Sequence, residues 1–82
     1  MNEQLLLERI VLNPGVMTGK PVIRGTRLTV EHILKLLAHG SRVEEILGEC
    51  EGLVQEDILA CFLFAYRSMA ATSFMPLDSK SA

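Results

Sequence analysis

The fold is constrained most strongly at Gly40 and Ser41, where one helical pattern ends and another begins. Thr29 is a favourable N-cap for the first helix, and Gly40 is the expected stop at its C-terminus. Between them, apolar side chains recur at the spacing of one helix face: Val30, Ile33, Leu34 and Leu37. Ser41, with Glu44 three residues later, has the spacing of a capping box for the second helix. Two such short helices need a further element to cover their apolar faces.

A third helix is predicted nearer the C-terminus, and it completes a helical unit. The predicted helices cover residues 29–39, 42–49 and 55–71. Short helices joined by turns of a few residues resemble a helix-turn-helix unit. The predicted fold class is therefore mainly α, a three-helix unit preceded by a short N-terminal β arm or hairpin.

The third helix is apolar on more than one face. No charged residue occurs from Ile58 to Tyr66, and two short helices cannot cover a helix that is apolar all round. We therefore expect a homodimer, with the remaining apolar residues at its interface: Leu59, Phe62, Leu63 and Tyr66. The alternative is that the N-terminal strands cover this face within one chain.

Residues 8–28 predict a β arm rather than an independent sheet. A short strand near residues 8–12 is followed by the turn sequence "NPG" and then by "GKPVIRGTR" at residues 19–27. The proline restricts any second strand to one that starts there or lies at an edge. We interpret four residues as shaping this backbone, through unusual φ angles, a fixed φ or a local hydrogen bond: Gly19, Pro21, Gly25 and Thr26.

Charge is divided unevenly along the chain. Residues 9–42 hold six basic side chains and one acid, a net +5, whereas residues 43–66 hold six acids and no Lys or Arg, a net −6. This asymmetry suggests two surfaces with different partners, although ordinary solvated charges would give the same count. Three cations are candidates for contact with nucleic acid or a toxin: Lys20, Arg24 and Arg27. The arginines could instead hold the segment to helix acids such as Glu44 or Glu45 of the same or a neighbouring chain.

The length of 82 residues predicts one small domain, placed at residues 1–72, with a flexible tail at 73–82. The chain is 49% hydrophobic and lacks Trp, so we expect a globular fold whose core gives only marginal stability. Proteins of this size are commonly stabilised by oligomerisation. No apolar run approaches the roughly 20 residues of a membrane span. The N-terminus lacks the basic start of a secretory signal. We therefore expect a cytoplasmic protein without membrane contact.

No catalytic or metal-binding constellation is predicted. Cys50 and Cys61 form no CxxC pair, and His32 and His39 do not complete a zinc-ligand spacing with them, so free thiols are expected. No nucleophile, base and orienting group can be assembled from the spacing, and the Gly-rich loop of a P-loop is missing. We predict a non-catalytic protein with no cofactor, no metal and no small-molecule substrate.

One long run of the sequence carries a family resemblance. The run "NPGVMTGKPVIRGTRLTVEHILKLLAHG", followed by "S..EEIL" and "L.QEDILA", resembles a bacterial and archaeal family of small proteins, the domain-of-unknown-function family 433. The resemblance covers roughly residues 9–67. It implies a homeodomain-like helix-turn-helix fold and an antitoxin encoded beside a small toxin related to PIN-type ribonucleases. The chain departs from the family pattern at residues 50–54, which lack the usual proline and capping Thr. Val54 cannot cap the third helix, so Gln55 or exposed backbone is expected to serve.

The sequence leaves two functions open, and one protein could carry out both. The first is a DNA-binding antitoxin or repressor. Its recognition helix offers only Gln55 for base contact, because Glu56 and Asp57 would repel phosphate, so the basic segment is the better DNA surface. The second is a homodimeric protein-interaction module, or a stand-alone regulator without direct DNA binding. Here Arg24 or Arg27 would pair with the carboxylates of a toxin's metal site.

Overall fold

The predicted fold class is confirmed in the computed structural model, which describes residues 2–15 and 19–71. The chain is mainly helical, with a short antiparallel hairpin near its N-terminus. The order is α1 (Glu3–Leu7), β1 (Ile10–Leu12), β2 (Pro21–Ile23), α2 (Val30–Ala38), α3 (Val43–Glu49) and α4 (Gln55–Ala71). The flexible tail expected at 73–82 lies outside the described residues. None of the described helices is long and apolar enough to cross a membrane.

The end of α2 is closed by a Schellman motif. Gly40 adopts a φ of 99°, and its N–H donates to the Leu37 carbonyl at 3.1 Å. The N–H of Ser41 donates to the Leu36 carbonyl at 3.0 Å. These two bonds satisfy carbonyl groups that the helix itself leaves without partners. The helix stop predicted at Gly40 is therefore confirmed, and Ser41 belongs to the end of α2.

The capping box predicted for Ser41 and Glu44 is wrong by one residue. Arg42 takes the N-cap position of α3, where its side chain makes no capping bond. The carboxylate of Glu45 instead accepts a hydrogen bond from the Arg42 backbone N–H at 2.8 Å. The shift follows from the Schellman motif, because Ser41 must stay close to α2 to complete it.

The N-terminus contains a helix that was not predicted from the sequence. The Asn2 side chain accepts from the N–H of Gln4 at 2.7 Å and begins α1, and Leu6 is buried. A five-residue helix is not stable alone in water, so its contact with α4 stabilises it. The strand expected near residues 8–12 consequently begins only at Ile10.

The hairpin places β2 in the core of the helical unit. Ile10 lies opposite Ile23, and Pro21 occupies the end of the ladder, where its missing N–H is tolerated. Val22 also forms a bridge with Thr29, which caps α2 by accepting from the His32 N–H at 3.0 Å. The buried cluster joins β2 to all three following helices and their linker: Ile23, Val30, Ile33, Ile46, Leu53, Ile58 and Cys61.

One of the two cysteines is expected to be unreactive in the folded protein. Burial, assisted by the Asp57 carboxylate, raises the pKa of the Cys61 thiol to about 12. Because the thiolate is the reactive form, only about 1 in 10⁴ of these thiols is ionised at pH 8. Cys50 is only half-buried. A thiol titration at pH 8 should therefore count one reactive group per chain in buffer and two in denaturant. Two fast-reacting thiols in buffer would contradict this.

Candidate interaction site

Residues 24–27, the arginine turn, connect β2 to the segment that enters α2. Gly25 adopts a φ of 80°, a left-handed conformation that costs other residues roughly 1–2 kcal/mol. The Thr26 N–H and hydroxyl both donate to the Ile23 carbonyl, at 3.0 and 2.7 Å. The same hydroxyl accepts from the Leu28 N–H at 3.0 Å. The turn is thus held at both ends by its own hydrogen bonds.

Arg24 is anchored across the hairpin. Its Nε and Nη2 both donate to the Glu8 carbonyl, at 2.8 and 2.5 Å, and its backbone N–H donates to the Arg9 carbonyl at 2.7 Å. The side chain remains exposed. The expectation that the arginines hold the segment to Glu44 or Glu45 within the chain is wrong for Arg24.

Of the three predicted binding cations, Arg27 is the most available. It is exposed and forms no hydrogen bond or ion pair with any residue that the structure describes, so it does not pair with Glu44 or Glu45 either. Lys20 Nζ lies 2.9 Å from Glu31 Oε1, and this hydrogen bond and the ammonium charge lower the pKa of the Glu31 carboxyl. Lys20 is therefore already paired, although both side chains are exposed.

At the start of α4, one carboxylate serves as the cap. Asp57 Oδ2 accepts from the Val54 N–H at 3.0 Å, which is the return half of a capping box and was not predicted from the sequence. Asp57 Oδ1 pairs with Arg9 Nη1 at 3.1 Å. Asp57 is 6% exposed, whereas Gln55, the predicted base-contacting residue, is exposed in the first turn. The first turn of α4 therefore presents no basic side chain to a binding partner.

A continuous apolar stripe remains exposed along α4. We define the α4 stripe as four residues at spacings of 3, 4 and 3, with exposures of 40, 45, 66 and 65%: Leu59, Phe62, Tyr66 and Met69. This spacing places them on one helix face. Leu63, predicted to share the interface, is half-buried, and Met69 was not predicted. Although α1 and β1 contact α4, they leave this face open.

The side chains that bind metal ions do not cluster in the described part of the chain. No group of three or more His, Cys, Asp or Glu residues there could hold a metal ion. The candidate site therefore consists of the arginine turn and the α4 stripe, which offer charge-assisted hydrogen bonds and apolar contact area respectively.

These features define a small helical protein whose hairpin and three-helix unit present one charged turn and one apolar helix face. The profile of the family described as "Protein of unknown function (DUF433)" matches residues 10–65. The chain belongs to this family, as "GKPVIRGTR" and its flanking motifs predicted.

The chain is also similar to a protein of known structure. A DUF433 member protein from Anabaena variabilis superposes with a TM-score of 0.73 at 30% sequence identity. The similarity covers 82% of this chain and 66% of that one, so this chain spans slightly less than two thirds of the relative's length. No curated protein matches the sequence.

Proposed function

We propose that this chain is a non-catalytic protein-interaction module of the antitoxin type, whose arginine turn binds the acidic metal site of a PIN-like ribonuclease. The observation that carries the proposal is the preorganised arginine turn. Its backbone is held by Thr26, Arg24 is anchored on Glu8, and Arg27 is exposed without a partner among the described residues.

The chemistry of the turn suits a cluster of carboxylates. A guanidinium group offers a planar fork of donors that matches a carboxylate in two parallel hydrogen bonds. An arginine paired with metal-binding carboxylates would compete with the metal ion. Because the turn is already held in shape, binding would cost less conformational entropy than ordering a free loop.

The start of α4 supports protein rather than DNA as the main partner. A recognition helix reads bases with Arg, Lys, Asn or Gln near its N-terminus. Here Gln55 is followed by the half-buried acid Glu56, Asp57 is buried, and the exposed face beyond them is apolar. DNA contact is a second candidate, favoured by the arginine turn itself, since Arg24 and Arg27 could neutralise phosphates.

The first test is co-expression with the neighbouring gene product. We expect a small PIN-like ribonuclease gene beside the gene for this chain, and we expect co-expression to relieve its toxicity. Changing both Arg24 and Arg27 to Ala should abolish protection while leaving the circular dichroism spectrum unchanged. Arg42→Ala is the matched control, because it removes an exposed arginine from another turn. Full protection by the double variant would contradict the proposal.

A gel-shift series on the promoter of the same operon tests the second candidate. If the arginine turn binds DNA, the double variant should lose affinity and the salt dependence of binding should become shallower. Arg42→Ala again serves as the control. If the double variant shifts the DNA as the native chain does, the arginine turn is not the DNA-binding surface.

A further inference from the structure

We propose that the α4 stripe is the interface of an antiparallel homodimer, in which Phe62 of each copy enters an apolar groove beside α4 of the other. This proposal uses none of the residues in the arginine turn, so it stands independently of the proposed toxin contact. It commits to a second copy of this chain as the occupant of the stripe.

The spacing of the stripe is self-complementary. The intervals of 3, 4 and 3 residues read the same in both directions and are symmetric about residue 64. In a twofold interface, if residue i of one copy contacts residue j of the other, then j also contacts i. An antiparallel pair centred near residue 64 therefore sets Leu59 against Met69 and Phe62 against Tyr66, twice each. The intervals also match the alternating spacing of a coiled-coil seam.

Charge selects the antiparallel arrangement over the parallel one. In the first turn of α4 the accessible acid is Glu56, since Asp57 is buried and paired with Arg9, and Arg67 is the only charged residue in the rest of the helix. Parallel packing would bring two acidic ends together and align two helix dipoles. Antiparallel packing brings each acidic end towards the half of the other helix that holds Arg67, and it opposes the dipoles. Arg67 also pairs with Glu3 of its own chain at 2.6 Å.

The groove supplies a place for a large side chain of the second copy. It has a volume of about 360 Å³ and lies between β2, α2 and the C-terminal half of α4. Its apolar walls include Pro21, Val30, Leu34, Ala65 and Met69. Met69 belongs to both groove and stripe, so the two surfaces are continuous.

The antiparallel arrangement brings Phe62 of the second copy to this groove. About a centre at residue 64, Phe62 lies level with Tyr66 of the other helix and therefore beside Ala65 and Met69. An aromatic side chain seated in an apolar pocket near the centre of an interface is a typical hot spot.

The first experiment measures mass by light scattering at micromolar protein concentration. The native chain should give twice its monomer mass of 9.1 kDa. Phe62→Asp and Tyr66→Asp should each weaken the dimer by about 30-fold or more. The matched control is Leu5→Asp, at an α1 residue that is 59% exposed and outside the stripe; it should leave the dimer intact. Circular dichroism checks that each variant remains folded. A monomeric native chain, or folded stripe variants that dimerise like the control, would overturn the proposal.

A second experiment measures the orientation of the helices. A spin label on Gln55→Cys in a Cys50→Ser background avoids the reactive native thiol. Nine residues on each side of the centre, at a rise of 1.5 Å per residue, place the two labels about 27 Å apart along the helix axes. Parallel packing would place them on the order of 10 Å apart, and that result would overturn the antiparallel model. A monomeric chain whose Phe62→Asp variant loses protection against the toxin would assign the stripe to the toxin instead.

Discussion

Replacement of Ile33 by alanine is expected to lower the free energy of unfolding by about 3 kcal/mol. Ile33 is fully buried in α2, within the cluster that includes Ile23, Ile46 and Ile58. The substitution removes apolar groups from the point where β2, α3 and α4 meet α2, and it leaves a cavity there. Small domains have total stabilities of about 5–15 kcal/mol, so a loss of this size should shift the denaturation midpoint strongly.

The measurement is urea denaturation followed by circular dichroism, with native and variant proteins at one fixed concentration. The concentration matters because the stability of a dimer depends on it. Leu5→Ala is the matched control, since it deletes a similar side chain that is 59% exposed, again in a helix. We expect a change within about 0.5 kcal/mol for the control. Similar losses for the two variants would show that Ile33 is not at the centre of the core.

Asp57→Ala should have the next largest effect, a loss of about 2 kcal/mol. The substitution removes the acceptor of the Val54 N–H and the partner of Arg9 in one step. Truncating one member of a fully buried ion pair costs about 3–5 kcal/mol. We place the expected loss below that range because the Arg9 side chain is 40% exposed and regains contact with water.

Two comparisons isolate the role of Asp57. Glu56→Ala removes the neighbouring carboxylate, which makes no hydrogen bond with the described residues, and should change stability by less than about 0.5 kcal/mol. A double-mutant cycle with Arg9→Ala should show a coupling energy of about 1 kcal/mol between the two side chains. Hydrogen exchange should also speed up in α1 and β1, which flank Arg9. Equal effects of Asp57→Ala and Glu56→Ala would contradict this assignment.

The local signals for α2 were read correctly from the sequence, because they depend on neighbours within a few positions. The hydroxyl of Thr29 caps the helix, and Gly40 ends it at positive φ. The same reasoning failed at Ser41, which has the chemistry of an N-cap and the correct spacing to an acid. Ser41 completes the Schellman motif at the end of α2, and it therefore cannot also act as the N-cap of α3.

The partners of the charged residues could not be read from the sequence. Arg9 and Asp57 are separated by 48 positions, and no local pattern joins them. The carboxylate that seemed to oppose phosphate binding is instead buried, where it caps α4 and holds the N-terminal arm. Arg24, expected to pair with an acid, donates to a backbone carbonyl of Glu8.

Three features could be predicted from the sequence alone: the three-helix unit, the need for glycine in the arginine turn and the excess of apolar residues on the last helix. Each of these follows from backbone preferences or from periodicity over a few turns of chain. The identity of the exposed apolar side chains and the partners in each ion pair depend on the three-dimensional packing of the chain. Exposure depends on where α1 and β1 pack against α4, and such packing is a sum over contacts between segments that are distant in the sequence.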